Sequence, residues 1–297
     1  MTAVWVRVPA TSANLGPGFD AFGIALAVYF TVRVEPREER RVIPTGEGAD
    51  ELPRGDDNLV WRAVVSYCRR FNTDVPDVTL RAENAIPVER GMGSSAAAAV
   101  AGVVLGRALT RAGGRDQELI DLAAELEGHP DNAAAAVLGG LVVCYDGAAI
   151  RLDPTDRLRP VLCVPATRQS TEAARGILPE AIRLHEAAAN GARAAVVLAG
   201  LAGAMAFDPS AMRDVLHEPA RLEEMAASGA LVRTLRAADI AACLSGAGPS
   251  VLVITEAGGR TADGRKSLET IRAAAGRQFD VRVASWDRAG AMVSRQA

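Results

Sequence analysis

Three observations predict that this sequence folds as an α+β protein. Near the N-terminus, residues 4–8 and 28–34 alternate apolar and polar side chains with a period of two, as strands do. Further on, a loop rich in glycine and serine leads directly into an alanine- and valine-rich run typical of a buried helix. The second half again mixes strand-like and helical segments. Strands and helices in both halves indicate an α+β fold.

The first half contains seven predicted segments. In order they are strands up to about Val34, a polar connection over 36–57, a helix over 59–71, a strand over 78–82, the glycine-serine loop and its helix to about Thr110, a helix over 116–127 and a strand over 138–145. In the second half we expect a strand over 160–164, mostly helix over 171–237, strands within 240–255, a helix, and a strand over 281–284. The polar stretch 153–156 is the predicted boundary, which gives domains 1–155 and 156–297.

Composition narrows the class of protein without identifying it. A chain of 297 residues that is 49% hydrophobic, with a formal charge of −3, can bury a large core and offers nothing to attract nucleic acid. Residues 1–7 lack a signal-peptide pattern, and the apolar runs are shorter than a membrane span. We therefore expect a cytoplasmic protein without nucleic-acid or membrane partners. The oligomeric state is not determined by the sequence, and a homodimer is one expectation.

The cysteines and two of the histidines are expected to lie outside the functional site. The four cysteines are widely spaced beside apolar residues and form no Cys-x-x-Cys pair, so buried free thiols are predicted (Cys68, Cys144, Cys163 and Cys243). His185 and His217 lie in helical, polar surroundings, and we expect both at the surface.

The glycine-serine loop (residues 87–97) is the most informative segment. Two glycines and two serines before a helix present free backbone N–H groups and hydroxyls where the helix dipole favours an anion. A Walker loop is excluded because its lysine is missing, Lys266 being the single lysine of the chain. The spacing also matches a dinucleotide fingerprint, but a proline precedes it and the next acid, Asp116, opens a helix. If the loop is considered alone, its interpretation as a helix cap before a packing helix also stays open.

Two further loops carry small polar residues. The first loop (residues 9–20) separates the two N-terminal strands and is far longer than a plain hairpin turn, which favours a binding loop. The third loop (residues 245–250) contains two glycines between apolar segments, which allows a close approach of the backbone to a ligand. By itself the third loop is better explained as a tight turn.

Together the loops resemble the GHMP family of small-molecule kinases. Pro-Val-Glu-Arg-Gly-Met-Gly-Ser-Ser-Ala-Ala at 87–97 is similar to the family's Pro-x-x-x-Gly-Leu-Gly-Ser-Ser-Ala-Ala, with methionine for leucine as a mild departure. Within the family, residues 11–20 and the segment Glu-Gly-His-Pro-Asp-Asn at 127–132 resemble the homoserine kinase branch. The resemblance spans essentially the full chain. It implies an N-terminal domain like domain 2 of ribosomal protein S5, with a left-handed βαβ unit, and a ferredoxin-like C-terminal domain.

The implied activity is ATP-dependent phosphorylation of the side-chain hydroxyl of L-homoserine, a step of threonine biosynthesis. The implied cofactors are ATP and Mg²⁺. The ATP residues are Asn58 at the adenine, and Pro87, Val88, Glu89, Arg90, Gly91, Met92, Gly93, Ser94, Ser95, Ala96 and Ala97 at the phosphates. A related kinase for another small alcohol, or a non-catalytic ATP-binding relative, is the alternative.

The proposed metal ligands are Ser95 and Glu127, since Mg²⁺ prefers oxygen donors. At about 100° per residue on a helical wheel, Glu127 lies at the edge of an apolar arc beside Ile120. A carboxylate turned toward the core needs a partner, and a metal can be that partner. A frayed, solvent-exposed glutamate at the helix end is the alternative interpretation.

The substrate must be held by its ammonium, its carboxylate and its hydroxyl. Asp20 suits the ammonium and Asn14 the hydroxyl, and guanidinium groups suit the carboxylate. The full predicted set is Asn14, Asp20, His129, Asn132, Arg175, Arg221 and Gly246, with Asn14, Asn132 and Glu127 as catalytic residues. Asn132 stands where several GHMP kinases carry an aspartate base, so the resemblance implies transfer without a dedicated base. Asp131 is the local rival for that role.

Overall fold

The computed structural model of the chain describes residues 3–35, 39–257 and 262–296. The strands are β1 (Ala3–Ala13), β2 (Phe22–Glu35), β3 (Arg41–Gly46), β4 (Thr79–Asn84), β5 (Leu141–Tyr145), β6 (Ala148–Leu152), β7 (Leu158–Pro165), β8 (Ala241–Leu244), β9 (Val251–Glu256), β10 (Phe279–Val283) and β11 (Met292–Gln296). The helices are α1 (Leu59–Arg70), α2 (Ser94–Thr110), α3 (Asp116–Glu127), α4 (Pro130–Leu138), α5 (Thr171–Gly176), α6 (Leu184–Leu201), α7 (Glu218–Glu224), α8 (Ala226–Ala237) and α9 (Ala262–Ala275), with a 3₁₀ turn at Pro209–Met212. These elements form two sheets with helices packed against them.

The first sheet has seven strands in the order β11-β1-β2-β4-β3, and β5 pairs with both β2 and β6. Only the β3–β4 pair is parallel among the pairings of the described strands. The long strand β2 pairs with β5 through Phe22–Ile24 and with β4 through Phe30–Glu35. The first loop joins β1 to β2, so this hairpin places its polar tip at the edge where α2 and α4 begin.

The second sheet is antiparallel, in the order β10-β7-β9-β8. Its core contains buried residues of β7, β8 and β9 together with Leu231, Val232 and Leu235 of α8. The third loop connects β8 to β9, so its glycines lie at the end of this sheet that faces the first one. The two sheets therefore bring the first and third loops together, although they are separated by more than 200 residues in the chain, as the Asn14–Gly246 contact shows.

Helix α2 is the central element of the first half, because small residues let its neighbours approach closely. Gly102 lies against the carbonyl of Val60 in α1, where an added Cβ would collide with that oxygen. Gly106 lies against the ring of Tyr67 in the same way. The alanine-rich run that predicted a buried helix is buried on nearly all sides over Ala96–Gly106. This packing fixes the N-terminus of α2, and with it the glycine-serine loop.

Most predicted elements are present, and five differ. The polar connection 36–57 contains β3, and α4 occupies the start of the predicted strand 138–145, which begins at Leu141. Strands β6 and β11 were not predicted, and β1 continues to Ala13, so residues 9–13 of the first loop are strand. Short strands such as β3 and β6 carry weak alternation, and only their pairing with β4 and β5 makes them strands.

Other expectations can be compared with the same structure. All four cysteines are buried and free, as predicted. No helix among the described residues is long and apolar enough to span a bilayer. His185 is exposed as expected, but the surface placement of His217 was wrong, because its side chain is fully buried. The domain division at 155/156 stays a prediction, and β11, which lies beyond it, pairs with β1 of the first sheet.

Candidate active site

A cleft of about 420 Å³ collects the predicted site residues. Its walls come from the first loop, the glycine-serine loop, the α3–α4 junction, α5 with the segment before it, α7 and the third loop. Every predicted residue lines it except three. Asn58, Ala96 and Ala97 lie outside its lining, the last two because they are buried in α2.

The glycine-serine loop presents backbone groups to the cleft. Gly91 and Gly93 have positive φ angles of 70° and 65°, a region that suits glycine. A Cβ at Gly91 would overlap the carbonyl oxygen of Ser245, and one at Gly93 would overlap the hydroxyl of Thr11. Gly93 is the N-cap of α2 and supplies no side-chain cap, so the first N–H groups of the helix remain available. The arrangement suits an anion such as a phosphate.

Arg90 has a different role from the rest of the glycine-serine loop. Its guanidinium donates to the carbonyl oxygens of Pro165 at 2.8 Å, Val88 at 2.9 Å and Ala166 at 2.9 Å. These bonds fasten the loop to the end of β7. Its predicted contact with ATP stays a prediction, since the guanidinium is already bound to the protein.

Ser95 and Glu127 are in direct contact at the N-terminus of α2. The Ser95 hydroxyl donates to Glu127 Oε2 at 2.6 Å. Burial raises the pKa of Glu127, and the hydrogen bond from Ser95 opposes that rise only in part. No group of three or more His, Cys, Asp or Glu side chains with metal-binding geometry occurs in the described residues. Two oxygen donors fit a Mg²⁺ ion that takes its remaining ligands from water and phosphate.

Asn58 lies beside this region rather than in the cleft. It caps α1, with Oδ1 accepting from the Val60 N–H at 3.0 Å and Nδ2 donating to the Pro53 carbonyl at 2.7 Å. It lines a small, mostly apolar cavity of about 100 Å³ that shares Val88, Ser94 and Ser95 with the cleft or its rim. The predicted adenine contact stays a prediction, with the cavity as its location.

The charged pocket (Asp20, Arg175 and Arg221) forms the other end of the cleft. Arg175 Nη2 donates to Asp20 Oδ1 at 2.6 Å, and both side chains are about one-third exposed, at 34% and 39%. Arg175 Nε also donates to His129 Nε2 at 3.0 Å. Burial, and then the nearby Arg175 charge, lower the pKa of His129, so its imidazole is a neutral acceptor. Four residues that were predicted from separate segments are thus adjacent: Asp20, His129, Arg175 and Arg221.

Arg221 is held more firmly than Arg175. Its side chain is 2% exposed, and Nε donates to the Ala174 carbonyl at 3.1 Å. Nη1 lies 3.0 Å from His217 Nδ1 and donates to the Gly246 carbonyl at 3.4 Å. Among the described residues Nη2 has no hydrogen-bond partner, and Arg221 lines the cleft. A carboxylate in the cleft would supply the missing acceptor.

Asn14 and Gly246 hold the loops rather than offering free groups. Asn14, with a positive φ of 69°, is 4% exposed. Its Nδ2 donates to the Gly246 carbonyl at 2.8 Å, and its Oδ1 accepts from the Asp20 N–H at 3.1 Å. Asn14 therefore positions Asp20, and its predicted contact with the substrate hydroxyl stays a prediction.

Asn132 and Asp131 begin α4. Thr11 Oγ1 donates to Asn132 Oδ1 at 2.7 Å, which identifies Nδ2 as the donor end of the amide, and Nδ2 donates to Asp131 Oδ1 at 3.4 Å. Asp131 is 2% exposed, and its Oδ1 accepts from the Asn132 N–H at 2.6 Å. Burial is the main reason that the pKa of Asp131 rises to about 7. An amide cannot take a proton, so Asn132 can orient a hydroxyl but cannot act as its base.

His217 and Phe19 adjoin the charged pocket, and sequence reasoning missed both; it also missed Gln169, Ser170 and Thr171 in the cleft lining. His217 lies beneath Arg221, and the Phe19 ring stacks on its imidazole with centroids 5.1 Å apart. The Phe19 ring also lies 5.6 Å and 5.5 Å from the guanidinium carbons of Arg175 and Arg221. The only available signal was that Phe19 is adjacent to Asp20 in the first loop. No pattern marked His217, because its role depends on a contact with Gly16, 201 residues away.

Comparison with known proteins agrees with this geometry. The family model described as the GHMP kinases N terminal domain matches residues 58–140. The chain is 41% identical to a homoserine kinase of Streptomyces coelicolor, over 98% of this chain and 94% of the relative. The chain belongs to the homoserine kinases of the GHMP kinase family. The predicted resemblance is therefore confirmed, and so is the kind of enzyme, a GHMP phosphotransferase.

Solved structures of GHMP kinases share the fold. The crystal structure of homoserine kinase from Cytophaga hutchinsonii superposes with a TM-score of 0.83 at 25% identity, covering 98% of this chain and 97% of that one. A crystal structure of mevalonate kinase superposes with a TM-score of 0.69 at 14% identity, over 96% and 99% of the two chains, which shows the fold alone. The predicted α+β GHMP kinase fold is confirmed.

Proposed function

We propose that this GHMP kinase transfers the γ-phosphoryl group of ATP to the side-chain hydroxyl of L-homoserine, giving O-phospho-L-homoserine and ADP. One observation carries the proposal: the glycine-serine loop and the charged pocket line a single cleft. A phosphate site beside an acidic and two basic side chains suits a zwitterionic alcohol as the acceptor. The activity of the Streptomyces coelicolor relative supports the same substrate.

The charged pocket explains why an amino acid would be preferred to an alcohol without an ammonium group. Without substrate, Asp20 and Arg175 neutralise each other through their 2.6 Å ion pair. A substrate ammonium can pair with Asp20, and a substrate carboxylate can pair with Arg175 and the free Nη2 of Arg221. A mevalonate-type alcohol has no ammonium, so it would leave Asp20 without its arginine and without a replacement.

The phosphate end would bind ATP mainly through backbone groups. The first N–H groups of α2 would contact the phosphates, and Gly91 and Gly93 give room for this approach. Ser95 and Glu127 would hold Mg²⁺, which, when bound, neutralises charge on the outer phosphates. The half-buried Glu127 carboxylate would be stabilised in this arrangement, because it would acquire a cation as partner.

The proton of the hydroxyl would leave without a protein base. In the transfer, the hydroxyl oxygen bonds to the γ-phosphorus, the bond from phosphorus to the bridging oxygen of ADP breaks, and the proton passes to a phosphate oxygen. Asn132 Nδ2 orients the hydroxyl by donation, since Thr11 occupies the amide oxygen. Asp131 Oδ1 is already engaged by the Asn132 N–H at the start of α4, and burial is the main cause that raises the pKa of Asp131 to about 7. Positioning and charge neutralisation are what phosphoryl transfer mainly requires.

Product analysis tests the proposal. The purified protein is incubated with ATP, Mg²⁺ and either L-homoserine, mevalonate or L-threonine, and phosphorus NMR follows the new phosphate ester. We expect one ester per ADP with homoserine and at least about 100-fold slower turnover of mevalonate. Equal turnover of mevalonate would support a kinase for another alcohol. ATP binding without any product would identify a non-catalytic relative.

Two finer expectations belong with this proposal. We propose that the enzyme works in the cytoplasm, which is supported by its four unpaired cysteines. A homodimer also stays a prediction, and light scattering on the purified protein measures the oligomeric state directly.

A further inference from the structure

His217 connects the two loops that build the charged pocket. Its imidazole is fully buried and lies beneath Arg221, outside the lining of the cleft. One ring nitrogen, Nε2, lies 3.0 Å from the Gly16 carbonyl oxygen in the first loop. The other, Nδ1, lies 3.0 Å from Arg221 Nη1 in α7. A histidine that touches no substrate is therefore hydrogen-bonded to both sides of the pocket.

The two partners determine the tautomer of His217. A carbonyl oxygen can only accept, so Nε2 carries the hydrogen and donates to Gly16. A guanidinium can only donate, so Nδ1 presents its lone pair to Arg221. Both conditions hold together only for the neutral imidazole with its hydrogen on Nε2. Protonating Nδ1 would replace this acceptor by a donor and place a positive charge beside Arg221.

The charges around His217 are compatible with the neutral ring. Asp214 Oδ2 is 3.6 Å from Nε2 but caps the N–H groups of residues 216–218 at 2.7–3.0 Å. The Glu218 carboxylate is taken by Arg236 at 2.6 Å and by the Leu244 N–H at 2.9 Å. Burial is the main cause that lowers the pKa of His217, against the opposing charges of Asp214 and Glu218. Phe19 covers one face of the ring.

We propose that His217 is a positioning residue for the substrate carboxylate: it fixes Nη1 of Arg221 so that Nη2 faces the cleft. The same imidazole ties Arg221 to the first loop, which carries Asp20, so it sets the spacing between the cationic and anionic ends of the pocket. The inference rests on the proposed function, because it assigns Arg221 to the carboxylate of an amino acid substrate.

The test replaces His217 by two amides that each retain one of its hydrogen bonds. In His217→Asn the side-chain oxygen can take the place of Nδ1 and accept from Arg221. In His217→Gln the longer amide reaches the place of Nε2 and can donate to Gly16, but it offers Arg221 no acceptor at the Nδ1 position. His185→Gln, at an exposed position on α6, is the matched control.

We expect His217→Gln to raise the KM for homoserine by about 10- to 100-fold, the range for losing a hydrogen bond to a charged group. His217→Asn should raise it by about threefold or less, and the KM for ATP should stay near the wild-type value in both. In an Arg221→Ala background, His217→Gln should have no further effect on the KM for homoserine, since its partner is absent. His185→Gln should change neither constant.

Other results overturn the inference. Equal KM values for the two amide variants, or a full additional effect in the Arg221→Ala background, would show that His217 does not act through Arg221. A parallel fall in kcat, in ATP affinity and in thermal stability would show a purely structural role. If the glutamine variant does not fold, the asparagine variant decides: a tenfold rise in its KM for homoserine contradicts the inference, and a rise below threefold supports it. Absence of homoserine turnover by the wild-type protein would instead contradict the proposed function.

Discussion

The glycine-serine loop and the charged pocket line one cleft, but the first offers backbone groups and the second offers side chains. The loop is one continuous segment, and the groups it offers are backbone N–H groups at the start of α2. The charged pocket uses side chains from the first loop, α5 and α7, joined by contacts such as Asp20–Arg175 across 155 residues of chain. Backbone groups are positioned by local conformation, whereas these side chains depend on how the two sheets pack.

This difference predicts which substitutions should affect which substrate. Changes at the phosphate end should act on transfer, because we propose that ATP and its metal ion bind there. Changes in the charged pocket should act on the binding of homoserine and leave ATP binding unaltered. Three experiments test this separation. A change in ATP binding caused by a substitution in the charged pocket would contradict it.

The largest effect is expected at the phosphate end. Glu127→Gln keeps the shape of the side chain but removes its charge, so the proposed metal site loses a charged ligand. We expect kcat to fall by about 100- to 1,000-fold at saturating Mg²⁺, since metal stabilisation of the transferred group amounts to several kcal/mol. The melting temperature should change little. The raised pKa of Glu127 shows that ionising this carboxyl group costs free energy in the folded protein, so a neutral glutamine does not destabilise the fold. Steady-state kinetics and calorimetry measure both.

Ser95→Ala is the companion variant, and it should lower kcat in the same direction by a smaller factor. Normal turnover of Glu127→Gln at saturating Mg²⁺ would remove Glu127 from the metal site.

A smaller effect is expected in the charged pocket. Asp20→Asn leaves the substrate ammonium without its counter-ion, and hydrogen bonds to charged groups contribute about 1.5–3 kcal/mol. Because the Asp20 side chain is 39% exposed, we expect the lower part of that range, a rise of about 10- to 50-fold in the KM for homoserine. The KM for ATP should not change. Kinetics with homoserine and ATP varied in turn would reveal the split, and an unaltered homoserine KM would contradict recognition of the ammonium.

The smallest effect on turnover is expected at Asp131, which lies between the two regions. Asp131→Asn should keep kcat within about threefold, because in the proposed mechanism the proton passes to the phosphate. A general base would instead contribute about 10²–10⁴-fold. Asn132→Ala is the matched comparison and should lower kcat more, since in the proposed mechanism Asn132 orients the hydroxyl. A large, pH-dependent loss confined to a well-folded Asp131→Asn variant would make Asp131 the base.

Asp131→Asn should also change stability in a pH-dependent way. The pKa of Asp131 is raised to about 7 in the folded protein, from 3.8 in the unfolded chain. The folded state therefore binds more protons between these values, and the free energy of unfolding falls as pH rises through that range. At pH 8 the variant should be more stable than wild type by about 2–4 kcal/mol, and the gap should close below pH 4. Denaturant unfolding at several pH values measures this, and a constant gap would show that ionisation is not its cause.

The sequence alone determined the α+β class, helices α1, α2 and α3, and the place of the glycine-serine loop before α2. These follow from local physics: small residues before a buried helix leave its first N–H groups free, and alternation marks strands. It also indicated Glu127, because a helical wheel placed a carboxylate at the edge of an apolar face. Arg175 and Arg221 came only from resemblance to the family, since nothing local distinguishes two arginines among 32.

Only the tertiary structure decided the rest. It turned 41–46 and 148–152 into strands by giving them partners, and it showed that Arg90 fastens two regions of the chain together. It also buried His217, whose polar sequence neighbours had predicted the surface. A buried polar side chain is stable only where distant groups complete its hydrogen bonds, and here Gly16 and Arg221 do so. Such partners are brought together by the packing of two sheets, which no local pattern records.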